Sequence, residues 1–85
     1  MKVINMFRAF TMESVNGYNL LSDTHKNMFD ETYKKHLSSM DLVERRRYSE
    51  NNVIKIEAEI SVLRVYFNHG ESFIYMHDHK WVKIP

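Results

Sequence analysis

Residues 52–85, NVIKIEAEISVLRVYFNHGESFIYMHDHKWVKIP, decide the fold, because apolar and polar side chains alternate through most of their length. Successive side chains of an extended backbone point to opposite faces, so alternation is the mark of a half-buried strand. His69-Gly70 and Asp78-His79-Lys80 interrupt it with turn-forming residues, and the stretch predicts a three-stranded antiparallel meander over residues 53–84. Along the first strand the apolar positions run Ile54, Ile56, Ala58, Ile60 and Val62, then change phase to Leu63, Val65 and Phe67. A slip of one residue moves every later side chain to the other face, so a bulge or a change of neighbour is expected near Val62-Leu63.

A two-residue turn at His69-Gly70 and a three-residue loop at 78–80 set Val65 against Ile74, Leu63 and Val82 against Met76, and Ile74 against Ile84. The reverse face then gathers Tyr66, Phe73, Tyr75 and Trp81 beside Arg64 and Lys83. Rings flanked by cations supply the hot spots of protein interfaces, and they also serve as stacking platforms for unpaired bases. These six residues are the candidate partner-binding set. The competing expectation is that the N-terminal segment or a second copy of the chain covers this face as ordinary core.

Upstream, Ser22 reads as a helix N-cap with Asp23 in the first turn, where a negative charge suits the helix dipole. Phe29, Tyr33, His36, Met40 and Val43 recur at helical spacing and form one apolar stripe, so an amphipathic helix is expected from Ser22 to about Tyr48. Asp41 and Glu44 have capping-box spacing, which makes a break near Ser39 the alternative. With that break, the order of helix, arginine-bearing helix and long hairpin resembles a winged helix, in architecture only. The predicted core is Leu63, Val65, Ile74, Met76, Val82 and Ile84 against Phe29, Tyr33, Leu37, Met40 and Val43. Residues 3–12 fit a strand or a short helix, with strand favoured, and Asn16-Gly17 is a turn signal that closes an N-terminal hairpin or leads as a plain loop into the helix.

The 85 residues are expected to make one domain, whose small size leaves its core marginal and would make self-association useful. Twelve basic and eleven acidic side chains give a net charge of +1, too balanced for a strong general attraction to nucleic acid or anionic lipid. The absence of cysteine removes disulfides, thiolate metal sites and a thiol nucleophile, and fits a reducing, cytoplasmic setting. Asn5 and Arg8 interrupt the N-terminal apolar run, so neither a signal peptide nor a membrane span is expected.

Arg45-Arg46-Arg47 can grip phosphate, although cations near a helix C-terminus are also favoured by the dipole alone. His77 and His79 have the spacing of two ligands on one strand face, too few for a metal site, and His69 lies at the other end of the central strand. His36 reads as a hydrogen-bonded boundary residue, and Glu57 with Glu59 as solvated strand surface. No glycine-rich phosphate loop, nucleophile elbow or helical His-Glu-x-x-His is present. The expectation is an α+β binding protein, without catalysis, cofactor or metal, that acts as an inhibitor, adaptor or regulator on a protein partner. A homodimer is anticipated, and a phage or mobile-element origin fits so small a chain. The alternative is a nucleic-acid-binding regulator that uses the aromatic face or Arg45 to Arg47.

Overall fold

A computed structural model describes residues 15–85 of the chain. A 3-10 turn at Tyr18–Leu20 leads into helix α1 (Asp23–Ser38) and a short helix α2 (Leu42–Arg47). Four strands follow, β1 (Val53–Ala58), β2 (Val62–Phe67), β3 (Ser72–Met76) and β4 (Trp81–Ile84). They form one antiparallel sheet in the order β1-β2-β3-β4, and α1 packs on one of its faces. The fold is α+β, as the alternation predicts. The expected strand over residues 3–12 lies outside the described residues.

The helical region is two helices. Ser22 caps α1 by accepting the His25 N–H at 3.1 Å, and Asp41 caps α2 by accepting the Glu44 N–H at 2.8 Å. Between them, Ser39 returns its hydroxyl to the His36 carbonyl at 2.7 Å, while Arg45 donates to the carbonyls of Leu37 and Met40 at 3.1 and 2.9 Å. A guanidinium thus satisfies carbonyls left over at the helix end. Helix α2 contributes no buried side chain, and Leu42 and Val43 are exposed, so Val43 is not part of the core. The apolar face that a recognition helix needs is missing from α2.

The meander has four strands because residues 53–67 fold back on themselves. Ile60-Ser61 is a tight turn closed by the Glu59 N–H on the Val62 carbonyl at 2.8 Å, and the phase change at Val62-Leu63 marks this hairpin. The bulge lies elsewhere, between Val53 and Lys55.

The two following hairpins share one design. Phe67 donates its N–H to the Glu71 carbonyl at 2.9 Å and accepts from Gly70; Met76 donates to the Lys80 carbonyl at 2.9 Å and accepts from His79. Each closes a three-residue loop, 68–70 and 77–79, with the third residue left-handed, Gly70 at φ 98° and His79 at φ 64°. This is the common three-residue hairpin with its αL residue last. The loop after β2 is therefore three residues long, one more than a His69-Gly70 turn provides. That single residue reverses the parity of β3, and the pairs become Leu63 with Tyr75, Val65 with Phe73 and Arg64 with Ile74. In β4 Trp81 pairs with Tyr75 and Val82 with Ile74, so both strands turn their rings toward α1 and their aliphatics away.

The core collects on the helix side. Phe29 stacks on Tyr33 and Tyr75 with centroids 5.2 and 5.7 Å apart, over Leu63, Val65 and Phe67. Leu37 and Met40 pack at its edge, whereas Ile74, Met76, Val82 and Ile84 lie on the opposite face, uncovered by any described element, and do not belong to it. Asn16-Gly17 serves as the loop into the helix: the Asn16 carbonyl accepts the Ile56 N–H at 2.9 Å on the outer edge of β1, and Gly17 turns the chain at φ 94°. A Cβ at Gly17 would collide with the Ile56 carbonyl, while one at Gly70 would meet nothing.

Gly17→Ala is therefore expected to lower stability by roughly 2 kcal/mol or more, and His79→Gly to raise it by up to about 1 kcal/mol by relieving a left-handed non-glycine residue. Urea unfolding of the two variants checks both signs.

Candidate binding surface

The six residues expected to share a face are divided between two. Phe73 and Tyr75 are buried beneath α1, Trp81 packs against the same cluster, and Lys83 stands on that side at the sheet edge; Arg64 and Tyr66 lie on the uncovered face. The expectation of one joint aromatic and basic surface is corrected by the register. The rings are core because the loop parity turns them to the helix.

On the covered side, polar contacts run through the core as a His36-Tyr75 pair and a Tyr33-Tyr48-Glu71-Lys83 chain. His36, 2% exposed, has its Nδ1 2.8 Å from the Tyr75 hydroxyl and sits among Phe73 and Trp81, with ring centroids 4.5 and 5.0 Å away. Tyr33 donates to the Tyr48 carbonyl, and Tyr48 in turn donates to Glu71 Oε1. Glu71 Oε2 accepts from Lys83 Nζ at 2.9 Å, with His69 Nε2 3.3 Å from the other oxygen. A buried ring that carries a hydroxyl or imidazole needs such a partner, since an unpaired buried polar group is costly.

The chain sets the charge states. Burial pulls the His36 imidazole down to about 4, against the attraction of Glu71, so it is neutral near pH 7. The Tyr48 hydrogen bond, helped by Lys83, holds Glu71 at about 2, and burial together with Glu71 pushes Tyr48 up to about 12. Burial also raises Tyr75 well above the usual phenol range. His36 is thus a core residue that joins helix to sheet, where the spacing alone marks a boundary position.

The uncovered face is half ionic and half aliphatic. On β1 and β2, Lys55 Nζ lies 3.0 Å from Glu57 Oε2, Tyr66 donates to Glu57 Oε1 at 2.8 Å, and Arg64 Nε meets Glu59 Oε2 at 3.1 Å. The ammonium of Lys55 also stands 5.5 Å from the Tyr66 ring centroid. These contacts lower Glu57 and raise Lys55 and Tyr66, each chiefly through hydrogen bonds within the trio. Glu57 and Glu59 are therefore ion-pair partners as well as surface. Continuing across the sheet, Val62, Ile74, Met76, Val82 and Ile84 form the aliphatic half, with Val82 54% exposed.

Of the arginine cluster, Arg45 is engaged in capping α1, and Arg46 and Arg47 are exposed on α2. His77 is exposed and His79 serves the β3-β4 loop; among the described residues no three His, Asp or Glu side chains come together as a metal site would require. A groove of about 540 Å³ runs between the 3-10 turn and β1, lined by Gly17, Leu20, Leu21, Ile56 and Ala58 with ionic residues at its rim. Among the described residues no helix is long and apolar enough to cross a membrane. No protein-family model, curated protein or solved structure matches the chain.

The buried histidine predicts an acid limb in stability. With its folded pKa near 4 and its ordinary value 6.5, the unfolded chain takes up the proton first, so the stabilisation is complete above pH 6.5 and is lost as the pH falls toward 4. Urea unfolding across that range should show a loss of roughly 3 kcal/mol that His36→Gln flattens. The low Glu71 value adds a second loss between pH 4.5 and about 2, absent in Glu71→Gln.

Proposed function

We propose that this chain is a non-enzymatic binding protein that occludes or bridges another protein through the uncovered face of its sheet. The carrying observation is the aliphatic half of that face, Ile74, Met76, Val82 and Ile84, which no described element packs upon. Contiguous aliphatic surface rimmed by polar groups is the usual composition of a protein-binding patch. Arg64 and Tyr66, at the border with the ionic half, are placed to orient the partner.

The charge arrangement favours protein over nucleic acid as the occupant. Lys55 and Arg64 are each matched by a carboxylate, so the face offers phosphates little unbalanced positive charge. Phe73 and Tyr75 enter this reading as the core that holds the face in shape, with Trp81 packed against them. Arg46 and Arg47, exposed on α2, are the surface that the nucleic-acid reading would use.

Partner capture from a native lysate tests the reading with three chains: the natural one, Val82→Glu and Arg46→Ala. A protein retained by the natural chain and by Arg46→Ala, insensitive to nuclease and to raised salt, and lost with a folded Val82→Glu variant is the expected result. Loss of the interaction on nuclease treatment or with Arg46→Ala would instead assign binding to nucleic acid.

A further inference from the structure

Among the described residues the sheet has two edges, and only the β1 edge meets another segment. On the outer side of β1 the Asn16 carbonyl takes the Ile56 N–H, and Gly17 lies against the Ile56 carbonyl, so that edge is occupied at its centre. No described strand lies outside β4. Because Met76 donates to Lys80 and antiparallel hydrogen-bonded pairs alternate, the inward pairs are Ile74 with Val82 and Ser72 with Ile84. The N–H and C=O groups of Trp81 and Lys83 therefore point outward from the sheet edge.

Proteins usually blunt such an edge with a proline, a bulge or an outward lysine. Strand β4 carries neither proline nor bulge within its span, and its one lysine is drawn back by Glu71 at 2.9 Å. The edge is also self-complementary. We infer that β4 pairs antiparallel with the β4 of a second copy of this chain, Val82 opposite Val82 on the two-fold axis and Trp81 opposite Lys83 of the partner subunit.

Three frames are open to two identical antiparallel strands here, and the chemistry selects this one. Centring on Lys83 sets two ammonium groups directly opposite each other and pairs Trp81 with Pro85, which has no N–H to give. Centring on Trp81 pairs Lys83 with His79, in the left-handed loop position beyond the strand. Centring on Val82 gives two hydrogen-bonded pairs, Trp81 with Lys83 in both directions, which is about four backbone hydrogen bonds. It also lays the lysine stem of each copy against the indole of the other and brings the half-exposed Val82 side chains together in a close, non-hydrogen-bonded pair. The two uncovered faces then become one surface across eight strands, so a partner of that face would meet a two-fold site. The pairing itself rests on the backbone of β4 and does not depend on what binds the face.

Sedimentation and amide hydrogen exchange on the full chain test this. The expected result is a mass that doubles with concentration while the Trp81 and Lys83 amides become protected in step with it. Lys83→Pro removes an outward N–H without touching the internal ladder, and Lys83→Ala keeps it while also losing the Glu71 contact. The proline variant should dimerise at least about tenfold more weakly than the alanine variant, because each dimer loses two hydrogen bonds. A chain that stays monomeric at its solubility limit overturns the inference. So does a dimer whose Trp81 and Lys83 amides exchange freely, or equal dimerisation of the two variants.

Discussion

The loop of residues 68–70 carries the rest of the architecture. By closing on three residues, with the Phe67 N–H on the Glu71 carbonyl and Gly70 in the left-handed region, it fixes the parity of β3 against β2. A strand has only two faces, so this choice is binary. It sends Phe73 and Tyr75, and through the next hairpin Trp81, beneath α1 to meet Phe29, Tyr33 and His36. The same choice sends Ile74, Met76, Val82 and Ile84 to the other side. The identity of the core and the composition of the free surface follow from one loop.

An aromatic core differs from an aliphatic one in its polar tips. Tyr33, Tyr48, Tyr75 and His36 bring hydroxyls and an imidazole into a small interior, and each is matched, Tyr33 by the Tyr48 carbonyl, His36 by Tyr75 and Tyr48 by Glu71. Glu71 passes the chain to Lys83 on β4. Helix α1, the segment after α2, the β2-β3 loop and the edge strand are thus tied by directional bonds as well as by contact. Such bonds hold only in one register, which gives a small domain a penalty against slipping that an aliphatic core lacks. The loop and the buried network support the same pairing.

Much of this is legible in the sequence. The Ser22 and Asp41 caps, the Phe29-Tyr33-His36 stripe and the β character of residues 53–84 follow from local chemistry and periodicity. The hairpin at Ile60-Ser61 is hidden because a lone serine beside an isoleucine is a weak turn signal, and its clearest trace is the phase change at Val62-Leu63. Parity is hidden for another reason. Asn68-His69-Gly70 suits a two-residue and a three-residue loop equally, and β3 and β4 are apolar on both faces, so neither pattern nor turn chemistry decides between them. The helix supports the three-residue loop, since its rings and imidazole pair with Tyr75 and Phe73, a long-range contact that no local rule sees. Arg45 is similar: a basic triplet shows charge, and only the break after Ser38 shows the carbonyls that one of its members serves.

In this chain the aromatic cluster and the aliphatic sheet face are therefore separated. The rings lie in the core, and the aliphatic row lies on the far side, next to a β4 edge on which no described strand is paired. The β2-β3 register tests this account most directly, read from close contacts between backbone α-protons in non-hydrogen-bonded pairs by nuclear magnetic resonance. The account predicts contacts of Arg64 with Ile74 and of Tyr66 with Ser72. A contact of Val65 with Ile74, or of Leu63 with Met76, would place the rings on the uncovered face and contradict it.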